Sequence, residues 1–170
     1  MQDLLLDIEA EIPALRRYAR VLLHDTDAAD DLVQDCLVRA LSRLPLWRRP
    51  DGNLRAWLFT ILRHIQLNQS RTAARHPRPR SLNDDDAPAV AGEQISRIEA
   101  VEALAAFQRL PVDQREVLAL VVVEGLRYRE VAALLGISIG TVMSRLARGR
   151  ERLRHLVDEP GAALRLRKAR

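Results

Sequence analysis

Residues 126–152, LRYREVAALLGISIGTVMSRLARGRER, constrain this chain more than any other stretch. The apolar positions recur at helical spacing on both sides of Gly136, which predicts two short helices joined by a tight turn. Val131, Leu134 and Leu135 form the buried side of the first helix. Gly136 supplies the left-handed backbone that such a turn requires. Ile137 points inward and Ser138 can cap the second helix, which Val142, Leu146, Leu153 and Leu156 hold against the domain. Thr141, Met143, Ser144, Arg145, Ala147 and Arg148 are left outward or lateral. Small side chains allow close approach, and arginines can fork onto guanine or grip phosphate. A helix-turn-helix needs that combination to place a helix in the DNA major groove.

The charge distribution agrees. Residues 103–170 carry 13 basic and 7 acidic side chains, whereas residues 1–75 are nearly balanced at 11 and 10. The basic excess therefore sits beside the helix-turn-helix, where it attracts a polyanion. Aromatic residues make up only 4% of the chain against 48% hydrophobic residues overall. Cores built from Leu, Val, Ile and Ala favour helices. Cys36 is the only cysteine, which excludes an internal disulfide and a Cys-rich zinc site and suits a reducing cytoplasm. His24, His64, His76 and His155 lack metal-ligand spacing. No apolar run approaches the ~20 residues of a membrane span, and the N-terminus carries acids where a signal peptide needs bases.

These patterns predict an all-α chain of two small helical domains joined by a flexible linker. Residues 4–23 place Leu4, Leu5, Ile8, Ile12, Leu15, Ala19 and Leu22 on one helical face, with Pro13 marking the helix start. Residues 27–44 form a second helix, capped by Thr26 or Asp27, with Leu32, Val33, Cys36, Leu37, Ala40, Leu41 and Leu44 inward. The loop PLWRRPDGN follows, and Asn53 caps a third helix over 54–70. Its buried side is Leu54, Trp57, Leu58, Ile61, Leu62 and Ile65, so Trp57 belongs to the core. The prolines and acidic triplet of HPRPRSLNDDDAPAVAGE predict a linker over 73–94 between domains at 1–72 and 95–158, with a basic tail at 159–170. In the second domain Ile95, Ile98, Val101 and Leu104 form one stripe, and residues 112–124 form a helix closed by Gly125.

The stretch LPVDQREVLALVVVEGLRYREVAALLGISIGTVMSRLARGRERLR resembles the fourth conserved region of bacterial extracytoplasmic-function (ECF) sigma factors. DAADDLVQDCLVRAL and NLRAWLFTILRHI resemble that family's second region, in the right order, and the resemblance covers about residues 10–156. It implies that the N-terminal domain binds the clamp coiled coil of core RNA polymerase through Asp31, Gln34, Asp35 and Arg39. Arg48, Arg49, Asp51 and Asn53 would accept a flipped base of the minus-ten element, which needs a shaped polar pocket to offset unstacking. Arg55, Arg63, His64 and Asn68 would line the path of the separated strand. The helix-turn-helix would read the minus-thirty-five element through the six outward residues named above. An anti-sigma factor is the further partner implied, and stress or envelope-response genes the implied targets. Two weak readers on one tether suit this task, because tethering supplies the combined affinity. The chain departs from the family at His64 (often Asn), Asn68 (often Asp) and Met143 (usually basic), all DNA-facing positions.

Two other classes compete. A sigma-like decoy that sequesters an anti-sigma factor would share both domains, but such decoys carry a receiver domain for which the chain has no room. A conventional helix-turn-helix regulator would leave DLVQD and NLRAWLFTILRH unexplained. No phosphate-binding glycine loop, nucleophile elbow or helix-borne histidine pair is present, so neither enzyme chemistry nor a cofactor is expected.

Overall fold

The computed structural model describes residues 2–23, 25–44, 53–75 and 103–158, which form helices and short turns with no strand among them. In chain order they form α1 (Gln2–Leu23), α2 (Thr26–Arg43), α3 (Leu54–Arg75), α4 (103–108), α5 (Val112–Leu118), α6 (Tyr128–Leu135) and α7 (Ile139–Asp158). A π-helical turn, Ala119–Val123, continues α5. The expected linker residues 76–94, Ile95, Ile98, Val101, the tail 159–170, and Arg48, Arg49 and Asp51 lie outside the described residues.

α1 corrects one expectation: it runs unbroken through Pro13. An interior proline costs a helix about 3 kcal/mol or more. Here the turns before it are held from outside, because Ile8 is buried and Leu4 and Ile12 pack on the core. Leu5, expected inward, is exposed. α2 is capped by Asp25, whose side chain accepts from the Ala28 amide at 2.9 Å, rather than by Thr26 or Asp27. All three residue types can cap, so only the backbone angles choose among them. Ala29, Leu32, Val33, Cys36 and Ala40 form its buried side, while Leu41 is exposed. Burial pushes the Cys36 thiol up to about 12, which marks it as an inert core residue. Asn53 caps α3 as expected, accepting from the Ala56 amide at 3.3 Å, and the helix continues five residues past its expected end to Arg75. Phe59, absent from the expected core, is fully buried on Tyr18, with ring centroids 5.1 Å apart; Trp57 is half-buried at the core's edge.

In the second block, the expected helix over 112–124 is α-helical only to Leu118. The chain then widens, with the Glu124 amide donating to the Ala119 carbonyl at 2.9 Å. This π turn rotates the residues that follow it and turns Glu124 inward, where it is buried. Gly125 and Gly136 hold positive φ of 68° and 67°, which closes this helix and α6 respectively.

The two blocks do not stand apart. α1 packs on α5 and the π turn, and α3 packs on α6, so that one continuous set of buried side chains runs through both. The all-α fold of two helical domains is as expected, and the domains pack on each other, an arrangement the sequence left open.

Candidate nucleic-acid interface

α6 and α7 meet at 103°, within the range of helix-turn-helix pairs. Ser138 caps α7 by accepting from the Thr141 amide at 3.1 Å. Val142, Leu146 and Gly149 face inward. Met143, Ser144, Ala147 and Arg148 are exposed, Met143 at 52%, and Thr141 is half-buried. Arg148 folds back on its own helix, donating from Nε to the Ser144 carbonyl at 3.2 Å. Arg145 lies to the side, its Nε 3.2 Å from Asp113 Oδ2 on α5. The six side chains assigned to duplex reading thus share one end of α7. Four of them face solvent, and two are positioned by neighbours.

The side chains expected to line the separated strand divide into two groups. His64 and Asn68 are exposed. Arg55 and Arg63 instead contact the second block, as does Asn53, which was expected at the flipped-base pocket. Arg63 sits with Nε 2.6 Å from Glu116 Oε1, and Tyr18 donates its hydroxyl to the same oxygen at 2.7 Å. Glu124 accepts a two-pronged contact from Arg17, at 3.0 and 2.9 Å, and a third from Arg55 at 2.9 Å. Arg55 Nε also lies 3.2 Å from Glu11. Asn53 donates to Glu130 of α6 at 2.8 Å. An open cleft of about 670 Å³ borders this contact, lined by Ala56 and Thr60 on one side and Arg127, Arg129 and Ala133 on the other.

Charge states follow from these contacts. Burial, reinforced by the Glu116 carboxylate, holds the Tyr18 phenol well above its ordinary value, so it stays a donor. The Glu124 hydrogen bond raises Arg17 further. At Glu130 burial pushes the carboxyl up, but hydrogen bonds from Asn53 and the Arg127 amide outweigh it and leave the group below the usual glutamate value. Arg17, Tyr18, Glu116, Glu124 and Glu130 were all missed from sequence. The one available signal was an acid, Glu124, closing the apolar run LALVVV.

On α2, Asp31, Gln34, Asp35 and Arg39 are all exposed along one side, and Asp35 accepts from Gln69 at 3.3 Å. Val38 and Leu41 lie exposed on the same helix and give this face an apolar component. Among the described residues no cluster of His, Cys, Asp and Glu could hold a metal ion, and no single helix is long and apolar enough to cross a membrane.

Comparison with known proteins places both blocks. Residues 8–63 match the family model described as the Sigma2 domain of PhyR, and residues 100–153 match Sigma-70, region 4. The ECF RNA polymerase sigma factor EcfG of Rhodopseudomonas palustris is 40% identical over 161 residues, covering 92% of this chain and 86% of that protein. The sigma factor RpoE of Bartonella quintana, solved in complex with the anti-sigma factor NepR, superposes with a TM-score of 0.76 at 32% identity, over 94% of this chain and 99% of that one. CnrH, solved with the cytosolic domain of CnrY, gives a TM-score of 0.60 at 30% identity, over 89% and 84%.

Proposed function

This chain belongs to the extracytoplasmic-function (ECF) RNA polymerase sigma factors, proteins that direct core polymerase to promoters, and from that membership we propose how its residues divide the work. Residues 1–72 bind polymerase and the minus-ten element, residues 95–158 bind the minus-thirty-five element, and 73–94 tether them. Asp31, Gln34, Asp35 and Arg39, with Val38 and Leu41 beside them, meet the clamp coiled coil. Arg48, Arg49, Asp51 and Asn53 accept the flipped minus-ten base, and Arg55, Arg63, His64 and Asn68 guide the strand. Thr141, Met143, Ser144, Arg145, Ala147 and Arg148 read the upstream duplex. The chain works in the cytoplasm at stress or envelope-response genes and has no catalysis of its own. An anti-sigma factor is its partner when inactive; the similar sigma factor RpoE is solved in complex with the anti-sigma factor NepR.

The observation that carries this reading is the pair of family matches in order along one chain, together with the exposure of the α2 and α7 faces. Run-off transcription with purified core polymerase on genomic fragments tests it. New starts that depend on this protein are expected. Duplex binding with no start under any fragment would indicate a conventional regulator. No start, no duplex binding and relief of another sigma factor from its inhibitor would indicate a decoy.

A further inference from the structure

Two of the four side chains that should guide a melted DNA strand, Arg55 and Arg63, are engaged by carboxylates of the same chain. We propose that region 4 masks the strand-binding face of region 2 in the free protein. Glu116 and Glu124 would occupy, on Arg63, Arg55 and Arg17, the positions that backbone phosphates take when DNA is bound. The inference rests on the assignment of α3 to strand guidance made above.

Three features carry it. First, both carboxylates are used almost completely. Glu124 is 1% exposed with each oxygen on a guanidinium, and Glu116 is 6% exposed between Arg63 and Tyr18. A carboxylate and a phosphate present the same two-oxygen fork to arginine, so one can stand in for the other. Second, Arg55 and Arg63 lie eight residues apart on α3, about 12 Å along one helical side. The two acids that meet them lie eight residues apart, across α5 and the π turn. The two acids thus meet both α3 arginines, and Arg17 of α1 adds a third cation on Glu124. Third, the mask is one-sided. Asn53 is taken by Glu130, yet Met143, Ser144, Ala147 and Arg148 on the duplex-reading helix stay exposed. The free chain is closed to single strands and open to duplex.

The energetics suit a reversible device. Taking these charges out of water costs about as much as their attraction returns, so such pairs are near break-even while formed. Breaking one side alone would strand a buried carboxylate, so the contacts release together when the blocks separate and water returns.

The test uses the full chain, a fluorescent 20-nucleotide oligothymidine and binding by anisotropy at low salt, without polymerase. The double variant Glu116→Gln/Glu124→Gln is compared with wild type and with Glu9→Gln/Glu151→Gln, which makes the same charge change at exposed sites. If the open form is roughly 10% or less of wild type, unmasking tightens apparent affinity by about tenfold or more. Adding Arg55→Ala and Arg63→Ala to the double variant should abolish the gain, and the radius of gyration from X-ray scattering should rise on unmasking. If the double variant loses helical circular dichroism, the single variants are measured instead, each with a smaller gain. Unchanged affinity in the unmasked protein, or an equal gain in the exposed-site control, overturns the proposal. A wild type that supports run-off transcription while failing this test loses the mask alone. One that drives no start loses the strand assignment beneath it.

Discussion

Gly149 lies mid-way along α7 and is buried, although its neighbours Arg148 and Arg150 are exposed. A Cβ added there would sit 2.7 Å from Leu118 Cδ1, 3.3 Å from Leu118 Cγ and 3.4 Å from Gln114 Cβ. Carbon atoms pack best at about 3.5–4.0 Å, so Leu118 must retreat by roughly 1 Å. Leu118 is itself core, and overpacking of that kind costs about 1–3 kcal/mol. Alanine returns about 0.8–1 kcal/mol of helix propensity over glycine. The net expectation for Gly149→Ala is a loss of roughly 0–2 kcal/mol, or up to about 8 °C in Tm for a chain of this size. Gly140→Ala is the built-in contrast. It lies in the first turn of the same helix, and its Cβ would meet only Ser138 Oγ at an ordinary 3.8 Å. That variant should be neutral or stabilised by up to about 1 kcal/mol. Urea unfolding followed by circular dichroism measures both. Because the displaced packing lies between α5 and the recognition helix, duplex affinity should fall in Gly149→Ala and not through any lost DNA contact. If Gly149→Ala is as stable as Gly140→Ala, the close α5–α7 approach does not exist as described.

Arg148→Ala should weaken transcription from the cognate promoter by the ~1–3 kcal/mol of one base or phosphate contact, while core-polymerase binding stays intact. A loss of polymerase binding in a gel-shift or pull-down with that variant would count against its place on the DNA side. The double variant Asp31→Ala/Gln34→Ala should do the reverse, lowering holoenzyme formation first. Both side chains are exposed, so folding should not change. Wild-type transcription by that variant would reject the α2 interface.

Helix faces and turns were legible in the sequence because they depend on neighbours three or four residues away. Gly136 in its left-handed turn, the Ser138 and Asn53 caps, Cys36 in the core and the inward Val142 and Leu146 all follow from such local rules. Pro13 misled because its cost is real but local, while the packing of Ile8 that offsets it is tertiary. The widening after Leu118 escaped because a π turn keeps an apolar run apolar and changes only the phase. That phase decides where Glu124 points. Phe59 and Tyr18 escaped for a related reason, since they bury each other between α1 and α3 and Tyr18 bonds across to Glu116 of the other block. The contacts that close the strand-guiding face join residues 53 to 107 positions apart, and no periodicity encodes them.

The closed arrangement leaves an order of events. The α2 face that we propose meets polymerase is exposed while the blocks are together, so docking there would not require opening first. Opening then needs only a small share of that binding energy, because the buried pairs are near break-even and each arginine released is soon neutralised again, by phosphate in place of carboxylate. A strand offered without polymerase has no such source of work and must wait for the rare open form, which lowers its apparent affinity by the closed fraction. The same arithmetic favours a partner that bridges both blocks. It binds the populated form, pays no opening cost, and by mass action deepens the closed state in proportion to its concentration over its Kd.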